Sequence, residues 1–384
     1  MRTLLAILFL LLAAPSDTAA QPPVLTTDVR FQETTRAAID SLYNRNPEAA
    51  RELMKPWAES WPDHPIWELW DAMELWWVVL TDIFDHSHDE ELIQKMEQAD
   101  RAAVELLRSD SSHPDGYVIR TVANGYIARQ HSNRNRWIQS VRTARNAQLA
   151  HEKMGQLLPD LSDNLFAEGL KLYYAAHIPE AYPVVRAVSW LLPDGDKQRG
   201  LELLEKTSRD AVFVRPEAIY FMGNILLNYE HDYEEATRHF QHLVERYPDN
   251  SYYRRLLVRA LFRQNRHVEA HNVIDRSLEY WESHQYDDEE VLREELLYWK
   301  GRIEMKTGSY RRARTLLDES FTLGKQLPNT SERSFQALSG YYAGLASEWS
   351  GDPGAAGDYY KQVVRLDCEK DVRDQARARL SDLQ

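Results

Sequence analysis

Residues 296–321 read LLYWKGRIEMKTGSYRRARTLLDESF and residues 341–364 read YYAGLASEWSGDPGAAGDYYKQVV. Gly301 precedes Ala313 in the first stretch, and Gly344 precedes Ala356 in the second, by the same interval. Residues 219–244, IYFMGNILLNYEHDYEEATRHFQHLV, repeat the arrangement with Gly223 and Ala236 and one extra residue in the turn. In each stretch two segments of helical periodicity flank a short polar turn. A hairpin of this kind buries its apolar face only by stacking on neighbouring copies. The spacing therefore predicts an all-α fold, an α-solenoid of antiparallel helical hairpins. No convincing run alternates with period two.

Outward from these stretches, the composition agrees. Gly and Pro number 15 and 16 in 384 residues, which suits long helices with short turns. Eleven Trp and twenty Tyr supply large side chains for helix packing, and the length accommodates about eight or nine hairpins. The net charge of -14 argues against nucleic acid, which needs basic surface. It likewise argues against an anionic membrane as the main partner, so membrane contact is kept only as an alternative. Residues 1–23, MRTLLAILFLLLAAPSDTAAQPP, carry Arg2, an apolar stretch from Leu4 to Leu12 and the small residues Thr18, Ala19 and Ala20. They read as a secretory signal peptide over 1–20, too short to span a bilayer, followed by a flexible lead over 21–28 and the repeat domain over 29–384. Export to a periplasm or the cell exterior is the expectation. Cys368 is the single cysteine, so no internal disulfide can form and stability must come from packing.

The residues that follow each Gly carry a family resemblance. Ala236, Phe240, Leu243 and Pro248 fall in the order and spacing of the second helix and closing turn of the tetratricopeptide repeat. Ala270, Ile274 and Ser277 repeat it, as do Ala313, Leu317 and Ser320, then Ala356, Tyr360 and Val363, and near the N-terminus Ala50, Met54, Trp57 and Pro62. The chain thus resembles a tetratricopeptide repeat protein of exported bacterial type over most of its length. In one unit Val258 stands where the first-helix Gly is expected. Gly169 and Gly200 look like a further first-helix and second-helix pair, separated by the apolar insertion HIPEAYPVVRAVSWLLPDG at 177–195. So apolar an insertion is expected either to fold back on the solenoid or to dock a partner, with Trp190 as its anchor.

The resemblance implies protein or peptide binding on a concave face lined by the first helices. Carried over by repeat position, the groove residues are Tyr220, Asn224, Arg255, Arg259, Tyr298, Arg302 and Tyr341. Aromatic plates beside Arg donors suit an extended or acidic segment of a cell-envelope protein.

Residues 82–92, DIFDHSHDEEL, offer imidazoles and carboxylates to a metal, but Asp89 at a helix start answers the helix dipole equally well. HVEAH at 267–271 lacks the Glu directly after the first His that a zincin motif requires, and HFQH at 239–242 sets His239 and His242 similarly close on the preceding unit's second helix. These histidines are expected on the exposed convex layer. Arg129, Arg134, Arg136, Arg142 and Arg145 cluster around Trp137, where they can meet an acidic partner or pair with neighbouring carboxylates. IWELWDAMELWWVVL, at 66–80, reads as a first helix buried on several faces. No catalytic residue, metal site or cofactor is assigned. The sequence reads as a non-enzymatic interaction scaffold; a metal-dependent enzyme using the histidine clusters and a solute or glycan binder using the aromatic groove are the alternatives.

Overall fold

The computed structural model describes residues 22–181, 194–284 and 289–383. Within them lie seventeen α-helices and no strand. The first eight are α1 (Val29–Tyr43), α2 (Pro47–Ser60), α3 (Ile66–Thr81), α4 (Asp89–Ser109), α5 (Pro114–Asn133), α6 (Trp137–Leu157), α7 (Asn164–Ala181) and α8 (Lys197–Asp210). Then come α9 (Arg215–Ile225), α10 (Tyr233–Arg246), α11 (Ser251–Arg263), α12 (His267–His284), α13 (Glu289–Lys306), α14 (Tyr310–Gly324), α15 (Ser334–Trp349), α16 (Pro353–Arg365) and α17 (Lys370–Asp382). Odd and even helices pair as hairpins, first helices such as α11, α13 and α15 also stack on one another, and α17 covers the last pair. This is the α-solenoid that the Gly/Ala spacing predicts.

The small residues act where the helices cross. A Cβ on Gly223 would lie 2.7 Å from the Phe240 ring, and one on Gly301 would lie 2.6 Å from Leu317. Each first-helix Gly thus faces the large residue one turn beyond the second-helix Ala, and Ala236, Ala313 and Ala356 are themselves fully buried. Gly169 and Gly200 meet in the same way: a Cβ on Gly200 would lie 2.8 Å from the Gly169 carbonyl oxygen. The extra residue after Gly223 is absorbed by a π-helical turn at Leu226–Glu230, closed by His231 in the left-handed region. Asp28, Asn46, Asp196, Asp232 and Asp352 cap helix starts by accepting from backbone N–H groups of the first turn.

The lead differs from the flexible segment expected over 21–28. Leu25–Thr27 forms a 3-10 turn in which Leu25 and Thr26 are buried. The reason is the Asp115 carboxylate at the start of α5, which accepts from the amides of Leu25 (2.7 Å) and Thr26 (3.2 Å) and from the Thr26 hydroxyl. The body of the insertion, 182–193 with Trp190, lies outside the described residues. Among the described residues no helix is long and apolar enough to cross a membrane.

A second feature has no local signature in the sequence. The ends of α1 and α3 reach across the solenoid onto its later repeats. Tyr43 donates to Glu217 (2.8 Å), Asn250 donates to the Tyr43 carbonyl (2.7 Å), and Asp40 accepts from Tyr247 (2.7 Å) and pairs with Arg215 and Arg246. Arg255 donates to the Thr81 carbonyl (2.8 Å), Asn329 to the Phe84 carbonyl (2.7 Å), and the fully buried Arg333 pairs with Asp82. We call this set of contacts the clasp.

Candidate functional site

Two surfaces carry concentrated side-chain chemistry: the inner face of the first helices and the outer face of α6. On the inner face, aromatic and arginine side chains recur from one first helix to the next because these positions are one turn apart and share a side. The Arg129 guanidinium lies 4.6 Å from the centre of the Trp76 ring and 5.2 Å from those of Tyr220 and Phe221. It also donates to Glu217 (3.3 Å) and Tyr220 (3.2 Å), and Tyr220 shares a hydrogen bond with Tyr252 (2.9 Å). On the next first helix, α11, Arg259 binds Glu295 through two nitrogens while Trp299 donates to the same carboxylate (3.1 Å). Burial pushes the Glu295 carboxyl up, but Arg259 and Arg255 outweigh it and hold it below its ordinary range.

Most of the predicted groove residues are engaged by the chain itself. Arg255, Tyr298 and Tyr341 are buried. Asn224 donates to the carbonyl of Tyr220 in its own helix (2.9 Å). Arg259 is held by Glu295. Arg302 is the exception: among the described residues its partners are aromatic, with the Tyr298 hydroxyl at 2.6 Å and the Tyr342 ring centre at 3.6 Å.

The histidine and acidic clusters are dispersed into pairs. Within 82–92, Asp82 meets Arg333, His86 meets Glu332 (3.1 Å), and Asp89 meets Arg134 and Gln130. Asp89 is thus a buried ion-pair member, and its side chain does not cap α4. His271 is half-buried between Asp275 (3.1 Å) and Glu304 (3.7 Å), and the His267 ring lies against Phe262, so neither stands free on a convex surface. Cys368 is half-buried.

The arginine cluster divides. Arg129 and Arg134 are paired as above, whereas Arg136, Arg142 and Arg145 are exposed on or beside α6. They border exposed apolar side chains: Trp137 at 60 %, Ile138 at 85 %, Val141 at 70 % and Leu149 at 50 %.

Residues 227–280 match the family model described as tetratricopeptide repeat. That match spans the π-turn, α10, α11 and most of α12, where the Ala236 and Ala270 spacing was read. No curated protein matches the chain. Among solved structures it is similar to yeast Tom70, at 12 % identity and TM-score 0.38 over 77 % of this chain and 52 % of that one, so it spans about half of Tom70. It is also similar to a tetratricopeptide repeat protein from Parabacteroides merdae, at 12 % identity and TM-score 0.40 over 78 % of this chain and 96 % of that one. PilW, a type IV pilus biogenesis factor, is similar at 13 % identity and TM-score 0.33 over 75 % of this chain and 92 % of PilW.

Proposed function

We propose that this chain is a non-enzymatic scaffold that docks a protein partner whose contact surface is apolar and rimmed with acidic residues. The outer face of α6 carries the reading. On other described helices exposed large apolar residues stand singly, as Val29, Val78, Val268 and Trp349 do, yet this one leaves Trp137, Ile138, Val141 and Leu149 together in solvent. From Arg134 to His151 there are four Arg and no Asp or Glu, in a chain that contains 60 acidic residues. Exposed apolar residues grouped on one helix mark a contact site, Trp and Arg are favoured anchors, and local charge complementarity selects an acidic partner. With the leader read at 1–20, that partner belongs to the cell envelope.

The test places a photo-crosslinking residue at position 138 and, in a separate variant, at position 302. A discrete protein adduct from position 138, lost in the Arg142→Glu/Arg145→Glu chain with its melting temperature unchanged, is the expected result. Adducts from position 302 alone move the site to the inner face, a second reading that rests on Arg302 having no carboxylate partner among the described residues. Binding of the unmodified chain to phosphatidylglycerol vesicles, lost in the same Arg variant, replaces the protein partner with a membrane.

A further inference from the structure

His64 and His113 occupy similar places: each is followed by a Pro at the start of a first helix, His113 directly before α5 and His64 one residue further from α3. With Asp115 they form a buried group, 3 %, 1 % and 0 % exposed. One potential ligand atom from each lies within 4.8 Å of the others, the only such trio among the described residues. We propose that this trio is a structural site for a divalent transition cation, Zn2+ by the chemistry of its donors.

Three observations carry it. The first is separation: His64 Nε2 and Asp115 Oδ2 lie 3.3 Å apart, the edge of a tetrahedron whose metal–ligand bonds are about 2.0–2.1 Å. The second is an unused lone pair. His113 Nε2 lies 3.1 Å from the Pro22 carbonyl, which can only accept, so that nitrogen carries the ring proton. Nδ1 of His113 is then a lone pair, buried and without a hydrogen-bond partner. A ring whose far N–H is fixed by a backbone carbonyl is the usual support of a metal-binding imidazole. The third is the carboxylate, whose remaining lone pairs accept from Leu25, Thr26 and the Thr26 hydroxyl, so its orientation is set without the metal.

His64 bears the cost of loading. Its Nδ1 accepts from the Ile66 amide at 3.2 Å, so in the metal-free chain Nε2 carries the proton, 3.3 Å from Asp115 Oδ2 but without a hydrogen bond to it. When the metal takes Nε2, the proton moves to Nδ1 and the Ile66 contact opens. The bound cation joins three pieces of chain distant in sequence: the lead at 22–26, the start of α3 and the start of α5. A chain with one cysteine has no disulfide to do this. Two imidazoles and a carboxylate are borderline donors that favour Zn2+ over Ca2+ or Mg2+.

The full chain is stripped with a chelator, then titrated with Zn2+ and separately with Co2+ while metal content, melting temperature and visible absorption are followed. One equivalent of Zn2+, an upward shift of several degrees and, with a water as fourth ligand beside the trio, a four-coordinate Co2+ band are expected. In His113→Gln, whose side-chain amide can still donate to Pro22, the equivalent, the shift and the band are all lost. His271→Ala leaves them intact. The proposal is overturned if the stripped wild-type chain gains neither metal nor stability, or if His113→Gln responds as wild type does, because the cation then binds elsewhere.

Discussion

Glu294 shows how one side chain sets a pH dependence. It is buried beside Arg333, with Arg333 Nη1 at 3.8 Å and its own Oε1 without a partner. Burial pushes its carboxyl up to about 7; Arg333 opposes the rise, while Glu295 and Asp82 add to it. The folded chain therefore keeps a proton that the unfolded chain releases near pH 4.3. The stability this contributes is full below that value and is lost as pH rises through about 7, a loss of about 3 kcal/mol. Glu294→Gln removes the titration, so its melting temperature is expected to exceed that of wild type at pH 8, with the difference closing at pH 5. A difference that stays constant across this range would show that Glu294 does not titrate there. The trio near the lead is a residue-scale feature that the sequence half displays: the two His-Pro pairs are visible, but nothing local says that Asp115 turns toward them.

At the scale of one hairpin, the crossing distance is set by a Gly on the first helix and an Ala on the second. Ala313 is fully buried against the helix that carries Gly301, with no room for added methyl groups. Ala313→Leu is expected to cost about 1 to 3 kcal/mol in urea unfolding, and Ala356→Leu a similar amount. Unchanged midpoints for both would mean that the crossings lie elsewhere. This register was legible because it is local: helix period and small-residue spacing lie within one hairpin, and packing has little freedom once both are given. The same helix period puts the Arg and Tyr positions on first helices. What engages them was not legible, because the Trp76 ring on Arg129 and the Thr81 carbonyl that accepts from Arg255 both belong to α3, far away in sequence.

For the whole molecule the clasp matters most. An open solenoid is held by nearest-neighbour interfaces alone, so its ends fray separately. Here the ion pair between Asp82 and Arg333 ties the second repeat to the last full hairpin, with Arg333 completely buried. Asp82→Asn leaves that guanidinium with the Pro328 carbonyl and, as acidic partner, only the more distant Glu294 carboxyl, at an expected cost of about 3–5 kcal/mol. Hydrogen exchange should then rise in both α1–α3 and α13–α15; a rise confined to α3 would mean that the repeats are coupled only to their neighbours. The clasp also gives the chain a timetable. During synthesis Asp40 emerges long before Arg215 and Arg246, and Asp82 long before Arg333. Tyr43 and Trp77, covered at the end by Tyr247 and Tyr253, have no counterpart until those later helices exist. The helices made first are consequently the last to be completed, and a chain stopped short of residue 333 carries an N-terminal half that cannot close.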